Sequence, residues 1–143
     1  MSFHASRTIA AEPSRVFAAF EEVGRLAVWW GPAGFTNTFE TFAFEPGGVW
    51  SFTMHGPDGK DYPNEMVVRE IDAPGRIVLE HVTQPRYVLT VTLEVAEDGG
   101  TLVGWHQEFE NAETGRRLEA ILVQANAELL ERLSAEVLGE GGR

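Results

Sequence analysis

No cysteine occurs in the 143 residues, which excludes disulfides, thiolate metal sites and cysteine nucleophiles together. Cations are scarce, 11 Lys and Arg against 22 Asp and Glu, and the formal net charge of -11 makes the surface repel phosphate backbones. No Lys/Arg cluster offsets that charge locally, so nucleic acid is not an expected partner, and the acidity reads as a solubility feature. Apolar runs last only a few residues, far short of the roughly 20 that cross a bilayer, so no membrane span is expected. The opening MSFHASRTIA has neither the basic start nor the apolar stretch of a signal peptide, and together with the missing cysteines it points to the cytoplasm. Low-complexity tracts and repeats of fixed period are missing as well.

What is present is the composition of a globular protein, 43% hydrophobic and 10% aromatic, and the length suits one domain over residues 1–143 with one core. Phe3 to Ala10 reads as a first strand. Pro13 stands where a helix can begin, because its missing N–H would be unpaired there anyway. Val16, Phe17 and Phe20 recur at helical spacing, Gly24 interrupts, and Leu26, Trp29 and Trp30 resume an apolar face that Gly31-Pro32 stops. Two short helices in tandem are predicted.

From Phe35 to Phe109 the period changes to two, with turn signals at Pro46-Gly47-Gly48, Gly56-Pro57-Asp58-Gly59, Ala73-Pro74-Gly75, Gln84-Pro85 and Glu97-Asp98-Gly99-Gly100. This implies six strands in a meander. Parity groups Trp50, Phe52 and Met54 on one side, then Ile77, Leu79 and His81, then Tyr87, Leu89, Val91, Leu93 and Val95, then Val103, Trp105, Gln107 and Phe109. These sets are expected to face inward. After Gly115 the pattern is helical to about Leu138, with Leu118, Ile121, Leu122, Ala125, Leu129, Leu133 and Val137 as the apolar stripe. That helix is expected to lie across the sheet, and Gly139 to Arg143 to fray. The fold class is α+β: a curved antiparallel sheet of six to seven strands around a long C-terminal helix, with two short helices after the first strand. Bulky rings opposite a modest stripe with Ala125 at its middle either interdigitate or leave a hollow, and the sequence does not decide which.

The segment Trp29-Trp30-Gly31-Pro32-Ala33-Gly34-Phe35-Thr36 is similar to the WWGPxGFT signature of bacterial proteins resembling the C-terminal domain of the Hsp90 ATPase activator. Pro46-Gly47-Gly48-Val49-Trp50, Met54-His55-Gly56-Pro57-Asp58-Gly59, Tyr62-Pro63-Asn64, Glu70-Ile71 and Thr101 to Gln107 follow the same family's order, so the resemblance covers essentially the whole chain. It implies the helix-grip fold of the START-like (SRPBCC) superfamily, with a ligand cavity and no shared catalytic motif. It also implies an Hsp90 contact as one partner reading. The eukaryotic activator, however, meets the chaperone through a preceding domain not found in this sequence, which weighs against Hsp90 stimulation. Many relatives carry an acidic residue where this chain has Ala43, and a Gly-Trp pair where it has Ala125-Asn126. The second departure puts an amide where an indole would otherwise fill the cavity.

Among chemical candidates His81 stands first, because parity places it beside Ile77 and Leu79. A buried imidazole donates a hydrogen bond to a ligand or acts as a base; a bond to a neighbouring side chain or backbone carbonyl is the plainer alternative. Asn64 and Gln107 fall on internal faces and supply orienting polar contacts or structural bonds. His55 and His106 point outward by the same parity and His4 reads as a surface residue, so neither a metal nor a cofactor is expected. Ser2, Ser6, Ser14, Ser51 and Ser134 lack any Gly-x-Ser-x-Gly elbow, and Gly47-Gly48 and Gly99-Gly100 are hairpin turns rather than phosphate cradles. The tandem Trp29-Trp30 suggests a cavity mouth, with at least one indole in the core.

The first functional expectation is a non-catalytic carrier or sensor of a small hydrophobic or aromatic molecule. Its expected binding residues are Trp30, Phe35, Trp50, Phe52, Met54, Asn64, Met66, His81, Tyr87, Trp105, Gln107 and Asn126. The second is a cavity enzyme of cyclase or lyase type with His81 as acid/base. The third is a protein-interaction domain, a homodimer or a chaperone contact, using an exposed apolar patch around Trp29, Trp30 and Phe35.

Overall fold

Alternation of polar and apolar residues from Ser2 to Ile9, broken at the exposed Arg7, gives the first strand, β1, with Phe3 and Ile9 buried and Ser2, His4 and Thr8 turned outward. Two short helices follow, α1 (Pro13–Glu21, Pro in its first turn) and α2 (Val23–Trp29). The break between them falls at Glu22, in extended backbone, and not at Gly24, which lies inside α2. Six strands then run as a meander: β2 (Thr36–Phe42), β3 (Val49–His55), β4 (Asp61–Asp72), β5 (Arg76–His81), β6 (Tyr87–Val95) and β7 (Thr101–Phe109). The last helix, α3, spans Ala112–Leu138. This computed structural model describes residues 1–139, so most of the segment expected to fray lies outside the described residues; Gly139 itself closes α3 in the left-handed conformation (φ 76).

All seven strands form one antiparallel sheet in the order β1-β7-β6-β5-β4-β3-β2, so β1 and β2 are its edges. Register shifts between Phe39 and Thr41 in β2 and between Val68 and Glu70 in β4 add local twist on the side of the sheet away from β1. The inward parity holds for Trp50 and Phe52, for Ile77, Leu79 and His81, and for Val103, Trp105, Gln107 and Phe109, all of them buried. It fails at Val95, 73% exposed, where β6 runs out into the Ala96–Gly100 turn.

Helix α3 begins three residues before Gly115, because Asn111 Oδ1 accepts from the Thr114 amide at 3.0 Å and fixes the first turn. Its buried side carries Gly115, Asn126, Leu129, Leu130, Leu133, Ser134 and Val137. The predicted stripe is therefore right in its second half only. Leu118, Leu122 and Ala125 are half-buried, and Ile121 is 66% exposed. Two polar residues on the inner face, Asn126 and Ser134, hid the true packing side from a hydrophobicity pattern.

The core is aromatic at the end of the sheet where α2 docks. Trp30 lies 5.7 Å from Trp50 and 5.8 Å from Trp105 between ring centroids, and Phe39 stacks on Phe52 at 4.7 Å. Trp29, fully buried, donates from Nε1 to the Ala19 carbonyl at 3.0 Å. This arrangement overturns the expected apolar docking patch: Trp29 and Trp30 are both buried, and Phe35 is half-buried against Tyr62. No helix among the described residues is long and apolar enough to cross a membrane.

Candidate ligand cavity

Between the inner face of the sheet and the middle of α3 the side chains leave a hollow of about 170 Å³. The sheet supplies Phe52 and Met54 from β3, Asn64 from β4, His81 from β5, Tyr87 from β6 and Trp105 and Gln107 from β7. The turn after α2 supplies Trp30, Gly31 and Pro32, and α3 supplies Leu122, Ala125, Asn126 and Leu129. Because Pro32, Met54, Leu122 and Ala125 are only half-buried, the hollow reaches the surface between that turn and α3.

Of the residues expected to bind, Trp30, Phe52, Met54, Asn64, His81, Tyr87, Trp105, Gln107 and Asn126 line this space. Three do not. Trp50 and Met66 are fully buried in the core, one step further along the same inward faces, where the aromatic cluster closes the sheet. Phe35 lies beyond the turn, packed on Tyr62 at 6.0 Å. Parity named the correct face of each strand but not the position along it at which packing gives out.

The polar groups form two pairs. Asn126 Nδ2 donates to Gln107 Oε1 at 2.8 Å, and both side chains are buried. His81, 4% exposed, stacks on Tyr87 with centroids 4.6 Å apart and donates from Nδ1 to the Pro85 carbonyl at 2.7 Å. Its Nε2 faces Asn64 Oδ1 at 2.5 Å and the Thr83 hydroxyl at 3.2 Å. Burial pulls the His81 pKa below its ordinary 6.5, with backbone hydrogen bonds at Pro85 and Thr83 opposing in part. With Nδ1 committed as a donor, a neutral ring presents a lone pair at Nε2. Thr83 can donate to it, whereas Asn64 can do so only by turning its amide over, away from the bond its Nδ2 makes to the Tyr62 carbonyl at 2.8 Å. The orientation of Asn64 at the hollow is thus tied to the protonation of His81. Burial also pushes the Tyr87 phenol up to about 12, opposed by a hydrogen bond with Gln107, so it stays neutral. The indole Nε1 of Trp105 is buried and has no partner among the described residues.

Sequence reasoning missed the side chain that holds the mouth in place. Arg132 of α3 donates to the carbonyls of Val28 at 2.6 Å, Pro32 at 2.7 Å, Gly31 and Phe35 at 2.8 Å and Trp30 at 3.4 Å. Glu128 accepts from the Ala33 amide at 3.1 Å, and Asn37 donates to the carbonyls of Ala27 and Trp30. One guanidinium therefore binds the turn that carries Trp30, Gly31 and Pro32 to the helix across the hollow. The only signal in the sequence was the hydrogen-bonding capacity of a turn rich in Gly and Pro, which leaves its carbonyls without ladder partners.

His55 sits outside the hollow, its Nδ1 2.8 Å from Asp61 and its Nε2 2.8 Å from Thr38. His106 stacks on His4 at 4.2 Å. Among the described residues no group of three or more His, Asp or Glu converges as a metal site would require.

The family model described as Activator of Hsp90 ATPase homolog 1-like protein matches residues 10–137. A protein of Arthrobacter aurescens with a solution structure superposes with a TM-score of 0.87 at 26% identity, covering 96% of this chain and 86% of that one. Crystal structures of proteins from Nitrosomonas europaea (TM-score 0.88, 16% identity, 100% and 97% covered) and Rhodobacter sphaeroides (0.84, 21%, 96% and 92%) share the architecture. These likenesses establish the helix-grip fold. A comparison with curated proteins finds no match.

Proposed function

The chain belongs to the Activator of Hsp90 ATPase homolog 1-like family, and on that footing we propose that it is a non-catalytic carrier or sensor for a molecule about one ring in size that bears an oxygen acceptor. The observation that carries this reading is the hollow beneath α3, bounded on one side by a densely stacked aromatic core. An engineered apolar cavity of about 150 Å³ takes up benzene, so 170 Å³ gives room for one substituted ring. Burial against Trp30, Phe52, Met54, Trp105 and Leu129 supplies most of the affinity. Asn64, Gln107 and Asn126, which line the hollow, supply the polar contacts that fix the orientation of an oxygen on the ligand. His81 acts as a positioning residue, since its Nδ1 donates to the Pro85 carbonyl and its Nε2 accepts from the Thr83 hydroxyl.

Trp30 and Trp105 line the hollow, so tryptophan emission reports on it. Titration with phenol, benzyl alcohol, cyclohexanol and benzene is expected to give saturable changes, stronger for the oxygen-bearing rings. A flat response to the whole set refutes the reading.

A further inference from the structure

A second hollow lies on the other side of α3, against the edge strand, and it is the larger of the two at about 310 Å³. Its apolar lining comes from β1 (Phe3, Ala5) and α3 (Val123, Ala127, Leu130), and its polar lining from Arg7 with His4, Ser6 and Asn126. The lining holds one arginine and no carboxylate, in a chain of net charge -11. Most other arginines of the described chain are occupied: Arg25, Arg69, Arg76 and Arg86 meet carboxylates, and Arg15 and Arg132 meet backbone carbonyls. Arg7 is exposed and makes neither an ion pair nor a side-chain hydrogen bond among the described residues. Val123, 60% exposed, leaves an apolar rim.

We propose that this groove between β1 and α3 is a binding site for a small apolar carboxylate, its acid group paired with Arg7 and its body laid on Phe3, Ala5, Ala127 and Leu130. The volume falls at the lower end of the range for small-molecule sites, roughly 300–1,000 Å³. The guanidinium fork matches a carboxylate in two parallel hydrogen bonds. In a chain of net charge -11, a groove whose lining holds an arginine and no carboxylate repels an anion less than carboxylate-bearing surface does. Asn126 lines both hollows, so its hydrogen bond to Gln107 forms part of the partition between them. The proposal is nevertheless independent of any ligand in the central cavity.

The test is a ¹H–¹⁵N titration of the intact protein with 4-phenylbutyrate and with the uncharged 4-phenylbutyramide. The acid is expected to shift the amides of Ala5, Arg7, Val123 and Ala127 and to bind roughly tenfold more tightly than the amide. Arg7→Gln, at an exposed side chain without bonds among the described residues, leaves the spectrum of the free protein native and brings the acid down to the affinity of the amide. Equal binding of acid and amide, undiminished binding to R7Q, no perturbation at millimolar probe, or shifts confined to the surroundings of Trp30 and His81 each overturn the proposal.

Discussion

Replacing Ala125 by Phe puts a ring where the ligand is proposed to sit. Ala125 is half-buried, lines the hollow from α3 and occupies a helical position whose backbone tolerates the change at a cost of about 0.5 kcal/mol. A bound ring buries roughly 150–250 Å², which at about 25 cal/mol per Å² gives about 4–6 kcal/mol, or a Kd between about 1 mM and 40 µM before polar contacts and association costs. With the space taken, that gain disappears, and affinity for the oxygen-bearing rings is expected to fall by more than about 100-fold. Stability is expected to stay within about 1.5 kcal/mol of the parent, because a side chain added into existing space neither leaves a void nor forces neighbours off their rotamers. Isothermal calorimetry gives the first quantity and urea unfolding followed by circular dichroism the second. Ile121→Phe, one turn earlier on the exposed face, is the control and changes neither. Unaltered binding in A125F, or a destabilisation beyond about 3 kcal/mol from overpacking, refutes the reasoning.

Arg132→Ala removes a charged donor shared among five carbonyls; it is expected to lower stability by about 2–4 kcal/mol in denaturant unfolding, with Arg132→Lys recovering less than half, since one ammonium cannot span the same acceptors. For His81 the folded pKa lies below the unfolded value of 6.5, so between the two the unfolded chain binds the extra proton. Stability therefore falls as pH drops from 6.5 through the folded pKa, at up to about 1.4 kcal/mol per pH unit. His81→Gln removes that slope in urea midpoints measured across pH, and an unchanged slope contradicts the assignment. Gly48→Ala drives a methyl into the backbone carbonyls of Ala43 and Glu45 and is expected to cost about 3 kcal/mol in thermal or urea unfolding.

Strand parity carried most of the fold, because residues such as Leu79 and Val103 have one dry and one wet side and a slip by one residue would reverse them. Turn chemistry at Gly47, Gly59 and Gly99, all at positive φ, then set the strand ends. Helix α3 was harder to read. Its inner face mixes Asn126 and Ser134 with Leu130 and Leu133, while Ile121 and Val123 stand in solvent, so hydrophobicity pointed partly the wrong way. The lining of the central hollow was legible by face: His81, Gln107 and Asn64 lie where alternation put them. Its extent was not, because a hollow is what remains after rings such as Trp50 and Phe39 have packed, and no local rule reports a residual volume. Arg132 was invisible for a different reason. On an amphipathic helix it looks like one more solvated charge, and its partners are carbonyls about 100 residues away in sequence. The groove at Arg7 likewise depends on β1 lying beside α3, a neighbourhood set by the pairing of the first strand with the last.

Native mass spectrometry of the purified chain beside its A125F variant, each incubated with the oxygen-bearing ring compounds, addresses the hollow beneath α3 most directly. One small-molecule adduct per wild-type chain, absent from A125F at the same concentration, is the predicted result. Bare masses for both proteins, or equal adducts on both, would contradict it.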